Sequence, residues 1–298
     1  MRILLTGGTG LIGQALCQLW LKQGHELIVY SRRPQQVARL CGSGVRGVAT
    51  LEELGGIRLD AIINLAGAPI ADRRWTSKRK AELRASRIHL TDRLVRWMGT
   101  LSQPPATLVS GSATGWYGDG GEQLLHEDGP PASRDFASQL CMDWEQSALR
   151  AEALGVRVVL VRTAPVLADG KGFLARLLPL FRLGLGGRIG SGQQWMPWIH
   201  LQDEVAAIDF LLRHSDARGA YNACAPGAVR NIEFTRCLAR VLHRPALLPL
   251  PAFALQAMLG ELSGMLLGGQ HLQPERLQAL GFEFRHAMLE EALMDLLG

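Results

Sequence analysis

The chain has 298 residues, 47% of them hydrophobic and 20% charged; this excludes a disordered chain and provides for a large core. Lysine and arginine exceed aspartate and glutamate by 32 − 27 = 5, and the isoelectric point is near 9.2. So small and scattered an excess suits an anionic small ligand and argues against nucleic acid.

In chain order, Arg2–Leu5 reads as a short buried strand that meets Thr6-Gly7-Gly8 at once, leaving no room for the apolar region of a signal peptide. Leu11 to Gln23 carries Leu11, Ile12, Ala15, Leu16, Leu19 and Trp20 at helical spacing, Gly24 stops it, and Glu26–Tyr30 is the next strand. Alternation continues with a strand at Asp60–Leu65, a long helix over Trp75–Met98, a strand at Thr107–Ser110, a helix over Ser138–Leu154 and an apolar strand at Val156–Arg162. This pattern predicts an α/β fold, a Rossmann-like doubly wound parallel sheet covered on both faces.

After residue 165 the pattern loosens. Gly184–Gly192 holds five glycines and reads as a loop; Trp195–Leu201 follows, then helices over Asp203–Leu212 and Val229–Leu242. Pro245, Pro249 and Pro251 mark a boundary, which divides the chain into 1–242 and a small, mostly helical region at 243–298. The longest uncharged stretch, Pro245–Gly260, is shorter than the roughly 20 residues of a membrane span. Its apolar surface is expected to be buried against the rest of the chain or in a homodimer. Cys17, Cys41, Cys141, Cys224 and Cys237 are odd in number and form no CxxC. No metal site and no disulfide framework is expected, and the reading is reduced thiols in a cytoplasmic protein.

Gly7-Gly8-Thr9-Gly10-Leu11-Ile12-Gly13 carries the chemistry at the amino end. Its glycines follow the G-x-x-G-x-x-G variant of the dinucleotide fingerprint, between a strand and a helix. Gly7 turns the chain, Gly10 admits a pyrophosphate close to the backbone, and Gly13 lets helix pack on strand. An NAD-preferring site carries a carboxylate at the tip of the second strand. This chain has Tyr30-Ser31-Arg32-Arg33 there instead. A hydroxyl and two guanidiniums suit a 2′-phosphate, so NADP(H) is the predicted cofactor.

These residues resemble the extended short-chain dehydrogenases/reductases, the NAD-dependent epimerase/dehydratase group. Asn64-Leu65-Ala66-Gly67 is similar to the group's motif after the fourth strand, whose backbone passes beside the adenosine. Ser110-Gly-Ser112-Ala-Thr114-Gly-Trp-Tyr117 is similar to its active-site strand end, and Trp198-Ile-His200-Leu-Gln-Asp203 to a later segment. Asn64–Ile70, Arg162–Leu167, Phe181–Gly192 and Leu267–Phe284 together resemble one branch labelled only "epimerase family protein", with its own C-terminal domain. The resemblance covers essentially the whole chain and implies cofactor contacts at Glu82, Arg87 and Val166.

The chain departs from that group where its chemistry resides. Reductases of the superfamily use a Tyr whose pKa is lowered by a Lys four residues on. Here Ala137 and Cys141 stand at those positions, and Tyr30, Tyr117 and Tyr221 are followed four residues on by Pro34, Gly121 and Ala225. Ser112, Thr114 and Tyr117 are the remaining acid/base candidates. Cys141 is a conceivable nucleophile but reads better as a packed residue. The Arg that holds a substrate diphosphate in sugar-nucleotide epimerases is replaced by Gln194-Trp195-Met196-Pro197-Trp198, an apolar wall or simply core. His200 reads as structural. Two functions remain open: an NADP(H)-dependent oxidoreductase or epimerase on an unknown small molecule, without the usual Tyr-x-x-x-Lys pair, or a non-catalytic NADP(H)-binding sensor.

Overall fold

The computed structural model describes residues 1–298. The first half runs β1 (Arg2–Thr6), α1 (Leu11–Lys22), β2 (Glu26–Tyr30), α2 (Val37–Cys41), β3 (Arg46–Val48), β4 (Ala61–Asn64), α3 (Ser77–Arg84), α4 (Leu90–Met98), β5 (Thr107–Ala113), β6 (Leu124–Leu125), α5 (Phe136–Leu149) and β7 (Arg157–Thr163). Then come β8 (Val166–Ala168), β9 (Lys171–Gly172), α6 (Leu174–Arg182), β10 (Trp195–Met196), β11 (Ile199–His200), α7 (Leu201–Arg213), β12 (Gly219–Ala223), β13 (Val229–Arg230) and α8 (Asn231–Val241). The chain closes with α9 (Ala252–Leu259), α10 (Gly264–Leu267), β14 (His271–Leu272), α11 (Glu275–Ala279) and α12 (Leu289–Leu297).

Seven strands form one parallel sheet in the order β12-β7-β5-β4-β1-β2-β3. The winding direction reverses between β1 and β4, and ligand crevices of such sheets open at that point. Alternate strand residues serve opposite faces: Ile3 and Leu5 pack with α1 and α7, and Leu4 with α4 and α5. No helix is long and apolar enough to cross a membrane.

Several boundaries move for local reasons. The helix expected over Trp75–Met98 starts at Ser77, where Thr76 Oγ1 accepts the Arg79 N–H at 3.2 Å, and a π-turn at Ala85–His89 interrupts it. The helix expected from Ser138 starts at Phe136, because Asp135 accepts the Ser138 N–H at 2.8 Å; its last turn, Arg150–Leu154, tightens to 3-10. Val229 and Arg230 pair with β10 instead of opening a helix. Helix α6 has no counterpart in the sequence reading, which saw only loosened periodicity there; Pro179 lies inside it.

The chain beyond residue 243 has no apolar core of its own. Leu272, Leu277 and Phe282 join the main core beside Ile208, and Leu289, Ala292 and Leu293 pack on Phe234 and Leu238 of α8. The covered part of the C-terminal apolar surface therefore lies against the Rossmann-like part, while Leu247, Leu248 and Phe253 stay exposed. Asp203 accepts the N–H groups of Arg285 and His286, both at 2.9 Å. His200 caps α7, accepting the Gln202 N–H on Nδ1 at 3.2 Å, while Nε2 faces Asp295 at 3.3 Å. Burial holds its imidazole below the usual range, with the neighbouring His286 adding to the effect, and Nε2 makes no hydrogen bond.

Glu204 on α7 is fully buried; Thr163 Oγ1 donates to Oε1 at 2.8 Å, and Oε2 has no partner. Burial pushes its carboxyl up to about 8. The folded state therefore holds a proton that the unfolded state releases near pH 4.5. This contribution to stability is complete below that pH and is lost as pH rises toward 8. Glu204→Gln should remove the dependence, widening its advantage over wild type between pH 5 and 8 to on the order of 3 kcal/mol. Parallel melting-temperature curves for the two proteins across that range would show the carboxyl to be ionised as usual.

Candidate functional site

At the switch point the glycine turn packs directly on the turn after β4. Gly7 has φ +72°, and a Cβ there would stand 2.7 Å from the Leu65 carbonyl carbon. A Cβ on Gly13 would lie 2.4 Å from the Gly7 oxygen. Helix α1 thus starts hard against the turn, with Gly10 at its N-cap and no side chain capping it. Its first N–H groups and positive dipole end are left for an anion.

A cleft of about 850 Å³ opens here, lined by Gly7, Thr9, Gly10, Ser31, Arg32, Leu65, Ala66, Gly67 and Glu82 among the residues expected from sequence. A recess of about 450 Å³ continues from it, walled by Thr9, Ser31, Arg32, Arg33 and Gln36. The Arg33 N–H donates to Ser31 Oγ at 3.1 Å, which shapes the turn. No protein group pairs with the guanidinium of Arg32 or Arg33 among the hydrogen bonds and ion pairs of the chain, and both side chains are exposed.

Other expected residues stand behind the cleft. Asn64 is buried: its oxygen accepts from Thr6 Oγ1 at 2.7 Å, and its nitrogen donates to Thr91 at 2.8 Å and Ser110 at 3.1 Å. It joins β1, β4, β5 and α4, and so positions the turn that follows. Arg87 packs behind Gly67, where an added Cβ would meet its Cζ at 2.9 Å, and lies over the Trp144 ring at 5.4 Å. Ile12 packs against the main core. Val166 is in the β8–β9 hairpin, which reaches the start of α1: a Cβ on Gly172 would stand 2.9 Å from the Val166 oxygen and 3.1 Å from Leu11 Cδ2.

The far wall comes from the interrupted helix. Ser86, in the π-turn, accepts the Ala68 N–H at 3.0 Å and so pins the Gly67–Ala68 turn. Arg79, almost wholly buried, pairs with Glu82 at 2.7 Å and with Asp72 at 2.6 Å, and also donates to the Pro69 carbonyl. Arg93 lines the cleft with its guanidinium 5.2 Å from the Tyr30 ring centre. Sequence reasoning missed Arg79 and Arg93. The signal was present: Ser86, His89, Arg93 and Arg96 recur at helical spacing opposite the apolar stripe.

The end of β5 is a closed polar network. Ser112 Oγ donates to Glu145 at 2.6 Å, and Arg162 holds the same carboxylate with Nε at 2.9 Å and Nη2 at 3.0 Å. Arg162 Nη1 donates to the Tyr117 oxygen at 3.0 Å, and Tyr117 donates to Asn222 at 2.8 Å. The Trp116 ring covers the guanidinium at 3.6 Å. Ser112, Thr114 and Tyr117 are all buried. Burial pushes the Tyr117 phenol up to about 12, although Arg162 and Asn222 pull it down. Glu145 and Arg162 were legible only as a carboxylate on a helix and a cation ending an apolar strand.

Ala137 and Cys141 face this segment; a Cβ on Gly115 would lie 3.6 Å from Ala137 Cβ and 3.8 Å from Cys141 Sγ. Burial, with Glu145 adding to it, pushes the Cys141 thiol up to about 12. A thiol of that kind is inert as a nucleophile. The expected aromatic wall divides. Trp198 is core, donating to the Gly227 carbonyl at 3.0 Å, whereas Trp195 is half-buried and stacks on His271 at 3.8 Å. Half-buried Met196 accepts from Asn231 at 3.1 Å.

Residues 3–224 match the family model described as "NAD dependent epimerase/dehydratase family", and residues 250–296 match a "Domain of unknown function (DUF1731)". The chain is 38% identical to the Mycobacterium tuberculosis "Epimerase family protein MT2273", covering 98% of this chain and 96% of that one. It is 36% identical to the Bacillus subtilis "Epimerase family protein YfhF", covering 100% and 98%. A crystal structure of human epimerase family protein SDR39U1 (isoform2) with NADPH superposes with a TM-score of 0.90 at 36% identity over 99% of each chain. The chain belongs to the NAD dependent epimerase/dehydratase family.

Proposed function

We propose that this protein binds NADP(H) in the switch-point cleft and transfers hydride between that cofactor and a small molecule. The carrying observation is the pair of unpartnered guanidiniums, Arg32 and Arg33, walling the recess beside an uncapped helix start, with no carboxylate at the tip of β2. The donor set fits a dinucleotide with a further phosphate. Gly7, Gly10 and the first N–H groups of α1 would hold the pyrophosphate, while Ser31, Arg32 and Arg33 would hold the 2′-phosphate. Leu65, Ala66, Gly67, Glu82 and Arg93 would flank the adenosine, and Arg87 and Val166 would bound the site beyond it. The human relative carrying NADPH supports the same reading. Bound there, the cofactor supplies the hydride.

The acid/base proposal keeps Ser112, Thr114 and Tyr117 as the nearest hydroxyls at the end of β5. A second reading, binding without turnover, is favoured by one observation: Ser112 and Tyr117 already spend their protons on Glu145 and Asn222. NADPH oxidation over a panel of carbonyl compounds separates the two. With Tyr117 as the acid, Tyr117→Phe lowers turnover about 100-fold or more. Turnover unchanged by Tyr117→Phe assigns the phenol to the network alone, and absence of turnover with every compound favours the sensor. Calorimetric titration tests the cofactor itself: NADPH is expected to bind more tightly than NADH, and the reverse order would overturn the proposal.

A further inference from the structure

Helix α8 stops in an unusual way. The His243 N–H donates to the Arg240 carbonyl and the Arg244 N–H to the Ala239 carbonyl, both at 3.0 Å. His243 has φ 52° and is the one non-glycine residue with positive φ. This is the left-handed helix stop that glycine adopts at least cost. A side chain kept there at a strain is a reason to look at what it faces.

It faces a second cavity of about 880 Å³, between α8, the glycine-rich loop and the segment after residue 243. Arg188, Arg236, Arg240, His243 and Arg244 line it, together with Thr235 and apolar residues, and no carboxylate is among the lining residues. It shares no residue with the nucleotide cleft. Arg240 is paired with Glu290 at 2.9 Å. Arg188 donates only to the Ser191 carbonyl, and Arg244 only to the carbonyls of Arg182 and His243. Arg236 has no partner among the hydrogen bonds and ion pairs. Three exposed guanidiniums thus line one open cavity without a paired carboxylate, a concentration of positive charge that favours an anion.

We propose that this cavity binds a phosphate-bearing ligand, a phosphomonoester or diphosphate. Arg188, Arg236 and Arg244 have no carboxylate partner, and guanidinium forks match phosphate oxygens two at a time. Exposed Leu183, Leu185, Leu247 and Leu248 lie on the same two segments, which are joined by the Leu248 N–H to Gly186 carbonyl bond at 3.2 Å. A free phosphate compound and an anionic lipid headgroup therefore present the same chemistry to it.

The test has two arms: calorimetric titration with inorganic pyrophosphate, and co-sedimentation with phosphatidylcholine vesicles containing phosphatidic acid. Each is run on the full chain and on Arg236→Ser/Arg244→Ser, with and without saturating NADPH, because pyrophosphate also has a place at the start of α1 that the nucleotide would fill. Arg236→Ser/Arg244→Ser is expected to weaken the binding that persists with NADPH present about tenfold or more in at least one arm. Loss in the pyrophosphate arm identifies a soluble ligand; loss confined to the vesicle arm identifies a headgroup. His243→Gly is expected to melt higher and bind more weakly, a combination that a purely structural histidine does not produce. No binding in either arm with NADPH present, or binding there that survives Arg236→Ser/Arg244→Ser, overturns the proposal. Calorimetry with NADPH alone reads the nucleotide cleft separately.

Discussion

Arg162→Ala is expected to destabilise the protein by about 3–5 kcal/mol. Arg162 and Glu145 are both buried, and the guanidinium holds both carboxylate oxygens. Removing it leaves a carboxylate in the interior with Ser112 as its remaining side-chain donor and takes a donor from the Tyr117 oxygen. The cost is that of stranding a charge, not the net worth of the pair. A double-mutant cycle makes the distinction: Arg162→Met with Glu145→Leu is expected to recover most of the loss, because neither desolvated charge then remains. Chemical denaturation of the four proteins measures it. A loss below about 1 kcal/mol for Arg162→Ala would mean that water reaches the carboxylate. Near-ultraviolet circular dichroism of the Trp116 and Tyr117 environment reports in parallel whether the strand end stays ordered.

Arg32→Ser/Arg33→Ser is expected to weaken NADPH binding about 100-fold while changing NADH binding little. A hydrogen bond to a charged group contributes about 1.5–3 kcal/mol, and exposure of both side chains places each at the low end, near a factor of ten. The wild-type preference for NADPH should shrink as salt rises, since the recess is open to solvent. Arg32→Asp should go further and reverse the preference, because a carboxylate there repels a 2′-phosphate and accepts from a 2′-hydroxyl. Calorimetry with both cofactors at two ionic strengths checks all three. An unchanged NADPH-to-NADH ratio in the double variant would place the extra phosphate elsewhere, with Arg93 and Arg96 across the cleft as the next cations to remove.

Local chemistry made much of this protein legible from its residues. A glycine turn between strand and helix, and arginines where a carboxylate is usual, are short-range features whose meaning depends on a few neighbours. Alternation of apolar strands with striped helices led to the parallel sheet for the same reason. Segments such as α6 and the two-residue strands β10 and β13 were not legible, because tertiary pairing overrides weak local preference there.

The amino-acid order by itself determined the sheet, the cradle at its switch point and the absence of a Tyr–Lys pair. Tertiary structure alone decided which candidate groups are free. Asn64, Ser112 and Tyr117 look like site residues along the chain, yet their polar atoms are consumed by Thr6, Glu145, Asn222 and Arg162, partners that lie from 33 to 105 residues away. The physical reason is that a buried polar atom must find a partner, and which partner it finds is set by packing across the sheet, not by sequence spacing.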